Sequence, residues 1–329
     1  MDTEVDVPPE SYINDRRQDW LTELSAQDYD RCMSLLEEVL GIPYRYSPEA
    51  TAAALLRSLH DRPGGKRLQV AEMPPPALEP TTERDLFWIR PLTDSEQAAP
   101  YIVAYDVNAA YLAACSALPL GVGKPRYTEA DAFLVLNDPG WGPNGAGYVR
   151  TVQGWVTTVT AAYNQHSFDA FWVWGETSRP LEPWYKVLRE ARSELMYRKR
   201  GVGLLEQIWL PAIEAGLQTV KMMYCGFFGR CASTKWDRTG DPLFRPDWRH
   251  MVIATRRTRL QRVMTQCDPA PFAAYSDCLY FATEKTVTGL RMGTNPGSFK
   301  IHGTVRNEDE VRSVIADGKL SRLVELVKD

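Results

Sequence analysis

Residues 101–113, YIVAYDVNAAYLA, decide the reading of this chain. Ile102, Val103, Ala104 and Tyr105 form an apolar run bounded upstream by Pro100, the signature of a buried strand. The run ends on a single acid, Asp106. Beyond it Ala109, Ala110, Tyr111, Leu112, Ala113 and Ala114 favour a helix start. A carboxylate at the end of a buried strand is costly unless a cation compensates it, and a divalent metal ion is a common one. Asp106 could equally cap the helix that follows, because Asp is a favoured N-cap residue.

Around this stretch the chain reads as a mixture of strands and helices. Upstream, Ser25 caps an expected helix in SAQDYDRCMSLLEEVL, with Cys32, Leu35, Leu36, Val39 and Leu40 on one face and Gly41 and Pro43 at its end. Ser47-Pro48-Glu49 opens a second helix running to about His60. DRPGGK (61–66) is a turn and PPPALEP (74–80) a stiff linker. Residues 1–24 are polar and expected to be partly disordered or draped over the surface. Strands are expected in LFWIR from Leu86, in GYVRTVQGWVTTV (147–159) and in DAFWVWGE (169–176), with a loop from Pro125 to Gly147.

Pro180–Gly229 reads as a helical hairpin. Trp184, Val187, Leu188, Ala191 and Leu195 mark the apolar face of its first helix, which also carries Arg189, Arg192, Arg198, Lys199 and Arg200. The second helix is expected from Leu204 to about Phe228 and carries Lys221. After a loop over Arg230–Pro246 comes a basic helix, Asp247–Gln266, with Arg249, Arg256, Arg257, Arg259 and Arg262. PFAAYSDCLYFAT (271–283) reads as one strand around Asp277, forming a hairpin with the next strand, which RMGTNPGSFKIHG (291–303) introduces and which carries Lys300. Glu308–Val327 is expected to form one or two short helices.

Composition narrows the function. The 329 residues suffice for one large or two modest domains, and a charged fraction of 24% against 44% hydrophobic is ordinary for a soluble globular protein. The acidic N-terminus, MDTEVDVPPE, does not read as a secretory signal, and no apolar run approaches a membrane span. Six scattered cysteines without a CxxC pair read as reduced thiols of a cytoplasmic protein, not as a zinc site or disulfide framework. The net charge of −4 argues against a general polyanion binder, but it is uneven. Residues 183–265 carry 16 Lys/Arg against 7 Asp/Glu, a footprint for a phosphate-rich partner.

Four separated stretches resemble one family, the B-family DNA polymerases. Asp106-Val-Asn-Ala-Ala-Tyr111-Leu resembles its first palm motif, Asp-x-x-Ser-Leu-Tyr-Pro. Lys221-Met-Met-Tyr-Cys-Gly-Phe-Phe-Gly229 resembles the fingers motif, Lys-x-x-x-Asn-Ser-x-Tyr-Gly. Tyr275-Ser-Asp277-Cys-Leu-Tyr-Phe resembles the second palm motif, Asp-Thr-Asp-Ser-Ile-Tyr-Phe. Gly297-Ser-Phe-Lys300-Ile resembles the primer-gripping Gly-x-x-Lys-x segment. Each motif alone is weak; their order over residues 86–303 makes them specific together. Ala109, Leu112, Cys225, Gly226 and Phe228 depart from the pattern. Aligning Asp277 with the second acid of the palm motif puts Tyr275 at the first; the other register puts Leu279 at the main metal-binding acid.

The resemblance implies an α+β fold: a polymerase-like palm with an antiparallel sheet and helices, helical-hairpin fingers and a small N-terminal helical appendage. The corresponding segments are 1–80 for the appendage, 81–179 and 231–303 for the palm, 180–230 for the fingers and 304–329 for a C-terminal helical part. The form expected is reduced, without a proofreading exonuclease or a full thumb, as suits a mobile element, plasmid or phage. The implied reaction is nucleotidyl transfer from dNTPs to a DNA primer on a DNA template, with a priming protein or other replication proteins as further partners. It uses two Mg²⁺ or Mn²⁺ ions about 3.5–4 Å apart, bridged by carboxylates. Asp106 and Asp277 are the implied catalytic and metal-binding pair. Lys221, Arg192, Tyr111 and Asn108 are the implied nucleotide-binding residues, Lys221 and Arg192 for the triphosphate and Tyr111 against a 2′-hydroxyl. Lys300, Arg256, Arg257, Arg259 and Arg262 are the implied nucleic-acid contacts.

Blander roles stay open: a strand-end acid bound to a turn for Asp277, a core aromatic for Tyr111, solvated cations for the rest. A catalytically degenerate palm that binds DNA ends or replication factors is the competing function. A metal hydrolase is disfavoured, because none of the four histidines lies near either acid in sequence.

Overall fold

The computed structural model describes residues 19–63, 67–79, 83–129, 146–164, 168–201 and 203–328. Residues 1–18, positions 64–66 of the DRPGGK turn, Pro80 of the linker and most of the loop before Gly147 lie outside them. In chain order the strands are β1 (Leu86–Ile89), β2 (Tyr101–Val107), β3 (Leu120–Glu129), β4 (Gly147–Thr151), β5 (Gly154–Thr157), β6 (Ala170–Ser178), β7 (Ala273–Ser276), β8 (Cys278–Ala282) and β9 (Phe299–Arg306). The helices are α1 (Asp19–Thr22), α2 (Ala26–Leu40), α3 (Pro48–His60), α4 (Asp94–Gln97), α5 (Ala110–Cys115), α6 (Thr158–Asn164), α7 (Leu181–Gly201), α8 (Leu210–Cys231), α9 (Thr234–Arg238), α10 (Pro246–Met264), α11 (Asp309–Ala316) and α12 (Leu320–Lys328). The fold is α+β with antiparallel sheets, and none of these helices is long and apolar enough to cross a membrane.

The chain divides into two units. The first contains residues 84–110 and 256–329 and is built on a five-stranded sheet ordered β1-β7-β8-β2-β9, antiparallel throughout. Alternation along its strands sends Ile102, Ala104, Tyr280 and Ala282 to one face, where Val311, Ile315, Leu323 and Val327 of α11 and α12 cover them. It sends Val103, Tyr105, Leu279 and Phe281 to the other face, against Leu260, Val263 and Met264 of α10. Each Val, Leu, Ile or Phe buried in this way contributes roughly 1.5–3 kcal/mol. Gly303 lets α12 approach β9, since a Cβ there would stand 1.9 Å from the Val327 carbonyl oxygen.

Residues 271–283, expected as a single strand, are themselves a hairpin: β7 and β8 pair with each other and the chain reverses at Ser276-Asp277. Ser276 adopts φ 58, the left-handed conformation that tight hairpin turns require. The apolar residues on either side hid this turn, which has no glycine.

The second unit contains residues 18–83 and 111–255. Its sheet is ordered β3-β6-β4-β5 and packs Val149, Val156, Phe171 and Val173 against Ala161 of α6. Residues 147–159 are two strands and the start of a helix, because Gly154, at φ 105, turns the chain between β4 and β5. Part of the loop expected after Pro125 is strand, paired with β6 as far as Glu129. The helical hairpin is α7 and α8; a 3₁₀ turn, Leu204–Trp209, precedes α8 because Pro211 is accommodated in the first turn of a helix and not in its interior. Helices α2 and α3, with the expected caps at Ser25 and Ser47, lay their apolar faces along α7 and α8. The loop expected after Arg230 contains α9, capped by Ser233.

Candidate active site in the five-stranded unit

Asp106 does not cap a helix. It lies within β2, four residues before α5, and directly opposite Cys278 and Lys300. The registers align Phe87, Tyr275, Cys278, Asp106 and Lys300 as one row across the five strands. Side chains directly opposite in a sheet share a face, so this row presents a carboxylate and an ammonium side by side. Lys300 Nζ lies 3.2 Å from Asp106 Oδ2, with the Asp106 side chain 21% exposed and that of Lys300 51%. An ion pair that open contributes little to stability.

Asp277 is the second turn residue between β7 and β8, and its carbonyl accepts from the Val107 amide at 3.1 Å, which ties the turn to the strand of Asp106. The half-buried carboxyl is pushed up to about 6, by burial first. The Arg256 guanidinium opposes that rise, and the Asp106 and Asp85 carboxylates add to it. Asp85 was not singled out by sequence. It stands one residue before β1, where no motif marks it; its only signal is an acid next to Arg84 at the head of an apolar run. Its carboxylate accepts from the Arg256 guanidinium and, at 3.4 Å, from the Ser276 hydroxyl.

The basic helix α10 therefore divides its arginines. Arg256 is 6% exposed and paired with Asp85, so it does not belong to an exposed basic face. Half-buried Arg257 donates to the Arg84 carbonyl at 2.8 Å, while Arg259 and Arg262 are exposed. Asn108 is also occupied. It is 5% exposed, and its side-chain amide donates to the Gly293 carbonyl at 2.6 Å while its backbone bonds Ser298 and Gly297. It holds the Gly/Pro turn before β9 in place. Asn108→Ala orphans the Gly293 carbonyl and is expected to destabilise the fold by about 1–3 kcal/mol in chemical denaturation.

Three expected nucleotide-binding residues belong to the second unit. Tyr111, on α5, stacks on Phe228 with ring centroids 6.3 Å apart and planes 16° apart. Phe228 packs in turn against Trp184, whose indole N–H donates to the Ala52 carbonyl at 3.1 Å. Lys221 is exposed on α8, and Arg192 is half-buried on α7.

Asp106 and Asp277 offer hard oxygen donors of the kind Mg²⁺ prefers. No group of three or more such ligands gathers among the described residues. Mg²⁺ is commonly held by one or two carboxylates with the remaining positions taken by water and substrate phosphates, so the pair fits a substrate-completed site.

The fold is similar to that of phi29 DNA polymerase. Against its orthorhombic crystal form the TM-score is 0.51 at 12% identity, over 79% of this chain and 53% of that one. Against the polymerase complexed with single-stranded DNA it is 0.50 at 12% identity, over 83% and 54%. Against the complex with primer-template DNA it is 0.51 at 11% identity, again over 83% and 54%. The chain thus spans about half the length of the structures it matches. No protein-family model matches the sequence. No curated protein matches it either.

Proposed function

We propose that the chain is a DNA-directed nucleotidyltransferase, a B-family-like DNA polymerase or primase-polymerase. The observation that carries this reading is the approach of Asp106 and Asp277 at one end of an antiparallel sheet, in a fold similar to that of a DNA polymerase. In the proposal these two acids hold Mg²⁺ or Mn²⁺. Bound there, the ions supply charge stabilisation to the phosphoryl group in transfer. Lys300 offers to a primer phosphate the ammonium it now gives Asp106. Exposed Arg259 and Arg262, with Arg257, contact the DNA backbone without reading sequence. Lys221 and Arg192 are assigned to the triphosphate and Tyr111 to the sugar, on the strength of the motif resemblance.

A second reading, a degenerate palm that binds DNA ends, is favoured by one observation: each acid already has a cation beside it, Lys300 at Asp106 and Arg256 at Asp277. Incorporation of labelled deoxynucleotides on primed, unprimed and end-only templates, with Mg²⁺ and with Mn²⁺, separates the two. The parent is expected to incorporate. Asp106→Asn and Asp277→Asn are each expected to lower the rate by about 10³-fold, roughly 4 kcal/mol of transition-state stabilisation. Absence of incorporation on every template, with DNA binding untouched by either substitution, would leave the binding-module reading.

A further inference from the structure

Asp85 and Arg256 form a half-buried ion pair that the proposed chemistry does not use. Their side chains are 18% and 5% exposed, and they join the start of β1 to α10. The neighbouring contact from Arg257 to the Arg84 carbonyl already fastens the same two segments. Asp85 does something further: its second carboxylate oxygen accepts from the Ser276 hydroxyl, at 3.4 Å, on a residue held at φ 58. A non-glycine residue in that region costs of order 1 kcal/mol or more and persists only when its surroundings hold it. The residue after Ser276 is Asp277.

We propose that Asp85 is a positioning residue for Asp277: it occupies the Arg256 guanidinium and braces the Ser276 turn, leaving the Asp277 carboxylate free to bind a divalent cation. The inference rests on the reading of Asp106 and Asp277 as metal ligands. A guanidinium is a rigid fork matched to a carboxylate, and one whose Asp85 carboxylate is replaced by an amide would turn toward the Asp277 carboxylate beside it. A metal ion would then compete with a fixed internal cation. Asp85 engages Arg256, and the site sets three carboxyl groups, those of Asp85, Asp106 and Asp277, against the two cations Arg256 and Lys300.

The test is Mn²⁺ binding to the full chain, read from the electron paramagnetic resonance of the free ion, without nucleotide or DNA. The parent is expected to bind and Asp106→Asn to lose binding. Asp85→Asn is expected to weaken binding about tenfold, because Arg256 turns to Asp277. Adding Arg256→Gln to Asp85→Asn is expected to recover most of that loss, since the competing cation is gone. A merely structural pair predicts the opposite, a double variant no better than Asp85→Asn. Arg256→Gln alone covers the case in which Asp85→Asn does not fold: it should bind Mn²⁺ at least as tightly as the parent, and weaker binding would overturn the proposal. Binding by the parent that Asp106→Asn abolishes and Asp85→Asn leaves unchanged sinks the role of Asp85 alone. A parent that binds no Mn²⁺ sinks the metal reading, and the role of Asp85 with it.

Discussion

Asp277→Asn is expected to make the metal-free protein more stable while removing its capacity for metal. The carboxyl of Asp277 is pushed from an ordinary 3.8 up to about 6, burial being the largest cause and the Asp106 and Asp85 carboxylates adding to it. A folded-state value above the unfolded one means that the folded chain binds more protons between those two values. Stability is therefore free of this penalty below about pH 4, falls as pH rises through the window to about 6, and stays at its reduced level above it. The full shift corresponds to about 3 kcal/mol, and the side chain's partial exposure reduces the gain from substitution to about 1–3 kcal/mol. Guanidinium denaturation of parent and variant at pH 4 and pH 8 checks this. The variant should match the parent at pH 4 and exceed it at pH 8. A variant weaker than the parent at pH 8 would mark Asp277 as an acid that serves the turn. A site that stores unfavourable charge until a cation arrives has the opposite sign from a structural acid, so the direction of this one difference separates the two roles.

Much of the local architecture was legible because it is driven by local chemistry. Ser25 and Ser47 cap α2 and α3, the apolar spacing of α7 announces its buried Trp184, Leu188, Ala191 and Leu195, and the run before Asp106 forms β2. The turn at Ser276-Asp277 was not legible, because it carries no glycine and the groups that meet it, the Val107 amide and the Asp85 carboxylate, lie far away in sequence. The same distance hid the division of labour along α10. A run of arginines reads as a solvated or phosphate-binding face until the partners of each are known, and the acid that buries Arg256 sits at the far end of a different segment. Asn108 shows the converse. Its place in a motif suggested a ligand contact, whereas the Gly293 carbonyl, supplied by a turn remote in sequence, takes its side-chain amide. Residues that end strands or open turns carry the site here, and their partners are set by sheet register, which periodicity alone does not give.

Arg245→Leu is expected to cost the second unit about 3–5 kcal/mol. Arg245 and Asp247 are 1% and 2% exposed. The guanidinium donates to both Asp247 oxygens, Nε to Oδ1 at 2.8 Å, and also to the Ala71 carbonyl, and it stacks 5.3 Å over Trp248. Removing Arg245 leaves a buried carboxylate without its cation and a buried carbonyl without its donor, and either deficit alone is substantial. Because Asp247 lies in the first turn of α10, its charge still interacts favourably with the helix N-terminus, which offsets only a small part of the loss. The double variant Arg245→Leu with Asp247→Asn removes the unpaired charge and should recover at least half of what the single substitution loses. Thermal and guanidinium denaturation of parent, single and double variants measures both quantities. A loss under 1 kcal/mol for Arg245→Leu would mean that water or a rearranged neighbour satisfies Asp247. The pair sits outside the row of Asp106, so Mn²⁺ uptake per folded molecule should be unchanged in the double variant. That contrast with Asp85→Asn distinguishes two arginine–aspartate pairs that each take one member from α10: Arg245–Asp247 holds the fold, and Asp85–Arg256 keeps an acid available.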